Sequence, residues 1–335
     1  MDCESNYQIN VPSKQTLIFI RNFFINSPAS INQFKNKLDP WWITGFTDAE
    51  GSFGLYIYKN SKFKTGWHAY LVFSISLHEK DRDILSQIQN FFGFGGIHSH
   101  GSNSLKYTVK SLNELQIIID HFDKYLLITS KLNDYKLFKL AYNLFINKEN
   151  LSIEGIEKLV AIKSSMNLGL KSQLKLAFPQ ISKHKDIYRD CFAYSNIKKI
   201  PDPYWVSGFT SGEGNFMIDI IKSKSSKLGI TAGLRFTITQ HFRDKQLMIS
   251  LIDFFNCGHL NIRNNNCFNL TIRKFTDLDT KIIPFFSKYP IIGDKLLNFQ
   301  NFIEASKLIN NKDHLTIEGL KKINEIKNGM NTKRI

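Results

Sequence analysis

Two stretches of this 335-residue chain carry one pattern. Residues 41–57 read WWITGFTDAEGSFGLYI and residues 204–220 read YWVSGFTSGEGNFMIDI. Each runs from aromatic and aliphatic residues into Gly-Phe-Thr, two small or polar residues, Glu-Gly and an alternating tail. The match continues downstream. VFSISLHEKD (72–81) corresponds to RFTITQHFRD (235–244), YTVKSLNEL (107–115) to LTIRKFTDL (270–278), and NKENLSIEG (147–155) to NKDHLTIEG (311–319). Two copies of this length indicate a duplicated domain, not a solenoid. The chain must therefore fold as two similar halves that meet about a pseudo-two-fold axis.

Each half shows the same order of elements. A proline, Pro40 or Pro203, opens a short helix, where its missing N–H costs nothing. Gly51 and Gly214 end that helix as expected terminators. Alternation then marks strands: Phe53, Leu55 and Ile57 face inward, while Gly54, Tyr56, Tyr58 and Asn60 face outward. In the next strand Leu71, Phe73 and Ile75 point in and Tyr70, Val72, Ser74 and Ser76 point out. A helix near 81–92, strands near 95–100 and 105–109, and helices near 112–124, 133–147 and 153–163 follow. The expected architecture is α+β, αββαββα twice, with one antiparallel sheet per half. The boundaries are an N-terminal extension (1–37), a first domain (38–170), a Lys- and Ser-rich linker (171–200) and a second domain (201–335).

Within the first helix Gly45 and Ala49 lie four apart, as do Gly208 and Gly212 in the second. Residues at that spacing share a face, and small side chains there let two helix backbones touch. Packing these faces together would bring both helix ends to one place, and with them Glu50 and Glu213. Two close carboxylates repel unless a cation intervenes. Carboxylates and the helix-end carbonyls of Ala49 and Gly212 form a hard oxygen set suited to Mg²⁺. Such an ion can activate water and stabilise a leaving oxygen.

The formal net charge is +15, which calls for a polyanionic partner, nucleic acid first. No run of 18 apolar residues exists, and Thr16–Ile25 is broken by Arg21 and Asn22, so a membrane partner is not expected. The cysteines (Cys3, Cys191, Cys257, Cys267) lack zinc or disulfide-framework spacing. Residues 1–12 carry two acids and no signal or transit character.

ITGFTDAEG (43–51) and VSGFTSGEG (206–214) resemble the two motifs of monomeric, double-motif LAGLIDADG homing endonucleases. The resemblance spans about 38–330 and is nearest the fungal mitochondrial intron-encoded branch. It implies an organelle-encoded, mitochondrial, monomeric enzyme. That enzyme would hydrolyse both strands of a long asymmetric double-stranded DNA target with Mg²⁺, leave short 3′ overhangs and promote intron mobility. Mn²⁺ or Ca²⁺ would substitute for binding. The metal-ligand position falls on Glu50 and Glu213, glutamate replacing the consensus aspartate. The sixth motif position is Asp48 in one copy and Ser211 in the other. Catalytic support falls on Gln240 and Lys274, whose first-half counterparts are taken as Leu77 and Lys110. Proteins of this fold also act as intron maturases, which makes intron RNA the alternative partner.

The outward strand faces would form a saddle. A strand of about eight residues spans roughly 26 Å, so two saddles cover on the order of 15 base pairs. The residues expected to read DNA are Ser52, Tyr56, Tyr58, Asn60, Tyr70, Ser74, Ser76, His98 and Lys106 in the first half. Those in the second are Asn215, Asp219, Arg235, Thr237, Thr239, Asn269, Thr271 and Arg273. Lys62 and Lys64, and Lys222, Lys224 and Lys227, lie in loops and are expected on phosphates. His78 and His241 stand at equivalent helix starts, where capping or packing is the expected role.

Overall fold

A computed structural model describes residues 38–182, 199–224, 226–263 and 266–331. The extension 1–37 and residues 183–198 of the connector lie outside the described residues. Helix α1 (Pro40–Glu50) leads into β1 (Gly51–Lys59), β2 (Trp67–His78), α2 (Arg82–Phe92), β3 (Gly96–Ser99), β4 (Ser104–Val109), α3 (Leu112–Lys124), α4 (Lys131–Ile146) and α5 (Ile153–Ser165). Two short helices, α6 (Ser172–Ala177) and α7 (Pro179–Ser182), follow. The second half repeats the pattern: α8 (Pro203–Glu213), β5 (Gly214–Lys222), β6 (Ile230–His241), α9 (Lys245–Phe255), β7 (His259–Arg263) and β8 (Cys267–Ile272). It ends with a helical run closing in α10 (Ile283–Lys288), then α11 (Asp294–Asn310) and α12 (Ile317–Asn328). The sheets are antiparallel, in the orders β1-β2-β4-β3 and β5-β6-β8-β7. The helical layers after each sheet extend the αββαββα plan.

The start of the connector is not a bare linker. Leu174, Phe178 and Ile181, in α6, between the two helices and in α7, are buried in the first core, where Phe178 packs on Trp67.

Both cores centre on one phenylalanine. Phe53 meets Phe73, Phe122, Tyr135 and Phe138 with centroids 5.3–5.4 Å apart. Phe216 meets Phe236, Phe286, Phe299 and Phe302 at 5.0–5.6 Å. These separations suit edge-to-face and tilted pairing. The repeated Ser152 and Thr316 cap the following helices, each hydroxyl accepting from Gly155 or Gly319 N–H at 3.0 Å.

The halves also cap one another. Asp244, in the second half, accepts from Ser130 N–H (2.7 Å) and Oγ–H (3.0 Å) at the start of α4. Asp81, in the first half, accepts from Asp294 N–H (2.9 Å) at the start of α11. Each carboxylate meets the positive end of a helix dipole across the interface. His78 Nδ1 and His241 Nδ1 accept from Lys80 and Arg243 N–H, at 3.2 and 3.3 Å. Both are caps on single turns.

Gly51 and Gly214 end α1 and α8, but not through the left-handed conformation expected of terminators. Their φ values are −73° and −76°. Space excludes a side chain instead: a Cβ would lie 2.4 Å from Thr47 Cγ2 or 2.3 Å from Thr210 Cγ2.

His121 is buried on α3. Thr44 Oγ–H donates to Tyr125 O at 3.0 Å, so His121 Nε2–H donates to Thr44 Oγ1 at 3.3 Å. Burial pulls the His121 pKa down to about 4. Between pH 6.5 and 4 the unfolded chain takes up a proton that the folded one refuses. Stability contributed here is present above pH 6.5 and lost as pH falls, about 3 kcal/mol over the window. Urea titrations of wild type and His121→Phe should show a shallower acid loss in the variant.

Candidate active site

The closest approach of the two halves is between α1 and α8. A Cβ on Gly45 would lie 2.0 Å from Trp205 O, and one on Gly208 would lie 2.1 Å from Trp42 O. A Cβ on Gly212 would meet Ala49 Cβ at 2.3 Å and Glu50 Oε1 at 3.3 Å. The helices therefore touch backbone to backbone, and their C-terminal ends converge. Glu50 and Glu213 sit there, both half-buried.

Burial first, then repulsion by Glu50, pushes the Glu213 carboxyl above the ordinary carboxylate range. Lys295, Lys131 and a hydrogen bond from Gln240 act against that rise. The Gln240 amide faces Glu213, and its Oε1 accepts from His241 N–H at 3.3 Å. Leu77, at the same place in the first half, has no such group, so the two sides of the centre differ.

Lys131 and Lys295 escaped the sequence reading. Lys131 Nζ donates to Thr47 O (2.9 Å) and Ala49 O (3.1 Å). Lys295 Nζ donates to Ser211 O (3.0 Å) and to Gly212 O. Burial lowers both lysine pKa values, while Glu50 and Glu213 push them back up. The signal was present: SKL (130–132) and DKL (294–296) occupy equivalent repeat positions. These ammoniums already occupy the Ala49 and Gly212 carbonyls expected to bind metal. The two carboxylates are then the oxygens a cation would reach. Paired carboxylates at negative helix ends, neutralised here by lysines, fit a hard divalent ion.

Lys110 and Lys274 are exposed at strand ends, and the positive charges acting on Glu213 come from the other two lysines. Their pairing also changes. Phe73 faces Val109 and Phe236 faces Ile272, so Lys110 corresponds to Arg273 and Lys274 to Ser111.

Asp48 is a structural carboxylate. It accepts from Ile128 N–H (3.0 Å), Thr129 N–H (3.2 Å), Thr129 Oγ–H (2.5 Å) and Trp205 Nε1–H (2.8 Å). Its counterpart Ser211 accepts from Ile292 N–H at 3.2 Å. Trp42 Nε1, which matches Trp205 Nε1, is buried without a partner, because a serine is too short to reach it.

On the outer faces, Ser52, Tyr56, Tyr58 and His98 are exposed, while Asn60, Tyr70, Ser76 and Lys106 are half-buried. Tyr56 folds over Gly54 and stacks on Tyr70, centroids 5.1 Å apart. That lid buries Val72, which alternation alone would place outside. Tyr58, His68 and Phe63 extend the cluster. Ser74, Thr237 and Thr271 are 3, 6 and 4% exposed. They lie mid-sheet, and Thr271 is capped by Asn261 Nδ2–H at 3.3 Å. Ser74 and Thr271 are covered, not presented, whereas Thr237 still lines the cavity beside Glu213. Lys62, Lys64, Lys222, Lys224 and Lys227 are exposed in the hairpin segments. In the second half a cavity of about 440 Å³ runs beside Glu213, lined by Asn215, Arg235, Thr239, Asn269 and the unforeseen Arg263. Thr239 donates to Asn269 Oδ1 at 2.8 Å.

Residues 43–142 and 206–306 match the LAGLIDADG endonuclease family model. Probable intron-encoded endonuclease 2 of Neurospora crassa is 40% identical over 301 residues, 88% of this chain. The chain spans 65% of that relative's length. The crystal structure of the I-SmaMI LAGLIDADG homing endonuclease bound to cleaved DNA is 42% identical. It aligns over 90% of this chain and 99% of its own, with a TM-score of 0.84. I-SmaMI bound to uncleaved DNA in the presence of calcium ions aligns over 88% and 99%, at 42% identity and a TM-score of 0.82. The chain is a member of the LAGLIDADG endonuclease family.

Proposed function

We propose that this chain is a site-specific homing endonuclease that hydrolyses both strands of a long, asymmetric DNA duplex and so promotes movement of its own intron. The carrying observation is the convergence of Glu50 and Glu213 at the touching ends of α1 and α8, flanked by two sheets. One monomer thus offers a carboxylate to each strand, with domains at 38–170 and 201–335. The activity depends on a divalent metal, and Mg²⁺ is the ion we assign, held by Glu50 and Glu213. When bound it supplies an activated water and charge stabilisation of the leaving oxygen. Gln240 orients the Glu213 carboxylate. Lys131 and Lys295 hold the helix-end carbonyls and offset the charge of the carboxylate pair. The hairpin lysines grip phosphates, which makes affinity fall with salt. We assign the protein to the mitochondrion, a reading supported by relatives named as intron-encoded, one of them in an ND4 intron.

The test is cleavage of the intron-free junction of the host gene, with Mg²⁺ or with EDTA. A double-strand cut near the insertion point is expected only with metal. Salt-sensitive binding without a cut under either condition would overturn the nuclease reading and favour RNA as the partner.

A further inference from the structure

The outer face of the second sheet carries a charged group that the first lacks. Arg235 Nη2 lies 2.8 Å from Asp219 Oδ1, and Arg273 Nη2 lies 3.8 Å from Asp219 Oδ2. One carboxylate thus hydrogen-bonds Arg235 and, through its other oxygen, faces Arg273 at ion-pair distance. Arg235 Nε is buried and has no hydrogen-bond partner. The same side chain lines the cavity that begins at Glu213. Opposite Asp219 the sheet has Gly233, and a Cβ there would meet nothing within 4 Å. The approach to the group is therefore open. The corresponding first-half residues are Tyr56, Val72 and Lys110, an aromatic-aliphatic surface with one exposed lysine.

A carboxylate does not belong on a phosphate-binding surface, where it would repel the ligand. The phosphate-type lysines of this half lie instead at the hairpin. The Asp219 charge is directed at the arginines, Oδ1 accepting from Arg235 and Oδ2 facing Arg273. What remains is a planar guanidinium, fixed in orientation by its acid, on a side chain that borders the cavity. That arrangement matches the paired acceptors O6 and N7 of guanine in the major groove.

We propose that Asp219 orients Arg235, assisted by Arg273, to read guanine in the arm of the target bound by the second half. The inference rests on the endonuclease reading and assigns part of its specificity. Arg235 pairs with Met217, four residues along β5 from Glu213. At about 3.3 Å per residue this is roughly 13 Å, or about four base pairs outward from the bond beside Glu213. The first arm has no equivalent requirement.

The probe is the intron-free host junction with the flanking pairs of both arms randomised, selected in parallel by cleavage and by binding. Wild type should demand guanine at one position about four pairs out in one arm. Other bases there should cost about five- to 150-fold, the range for a bidentate pair. Arg235→Lys keeps the charge but loses the fork, so that preference alone should flatten. Asp219→Asn should flatten it too, with the folded state checked by thermal melting. Cleavage with no base preference in that window overturns the inference and leaves the endonuclease standing. Guanine-selective binding that Arg235→Lys abolishes, without any cutting, does the reverse.

Discussion

Replacing Glu213 with glutamine is expected to remove conversion of a supercoiled target to linear DNA, a loss of roughly a thousandfold or more. The shape of the side chain and its place beside Gln240 are kept, and only the charge is lost. A neutral amide is a poor ligand for a hard divalent ion. Binding should survive, because the function proposed above assigns it to the strand faces and the hairpin lysines. The variant should also melt at a higher temperature than wild type at neutral pH. The Glu213 carboxyl is pushed up by burial and by Glu50, so holding it ionised opposes folding above its folded pKa. Loss of activity with gain of stability would mark a site arranged for chemistry. The measurement is single-turnover cleavage of a plasmid target, separating nicked from linear product, beside a calorimetric melt. Undiminished linear product would remove Glu213 from the reaction.

Much of this centre was legible in the sequence, for a physical reason. Duplication writes each important position twice, so Gly45 with Gly208, and Glu50 with Glu213, stand out against a changing background. Strand alternation likewise placed Phe53, Leu55, Phe73 and Ile75 inside, and each is at most 2% exposed. What could not be read was contact between elements distant in sequence. Lys131 reaches Ala49 across 82 positions and Lys295 reaches Gly212 across 83. No local pattern announces those bonds. The exposed Lys110 and Lys274 looked better placed because they end strands near the motifs. Alternation also failed where a side chain lies down: Tyr56 covers Gly54 and takes Val72 out of solvent. Asp48 shows a subtler limit. Sequence ranked it as non-essential for metal, but only packing reveals a carboxylate collecting four donors, one from the other half.

Gly208→Val should prevent accumulation of folded protein, with a cost of about 5 kcal/mol or more. The reason is what the new side chain would meet. Its Cβ would lie 2.1 Å from Trp42 O and 2.9 Å from both Trp42 C and Phe46 N. These are backbone atoms of a buried helix and cannot rotate aside. The only relief is to separate α1 from α8, and that separation would part Trp42 and Trp205 from their places in the two cores. A graded series isolates this cause from the general effect of losing a glycine. Gly212→Ala meets a Cβ at 2.3 Å and a glutamate side chain at 3.2 Å. It should fold with reduced stability and a displaced Glu50. Gly233→Ala meets nothing and should be neutral or stabilising by about 0.5 kcal/mol, through the unfolded chain. A higher denaturant midpoint for Gly233→Ala than for Gly212→Ala, with no folded Gly208→Val to titrate, would place the constraint in helix contact. Equal behaviour of the three would deny it. The same steric gap that forbids a side chain at Gly208 is what lets Glu50 and Glu213 share one point, so the glycines set the reach of the carboxylates.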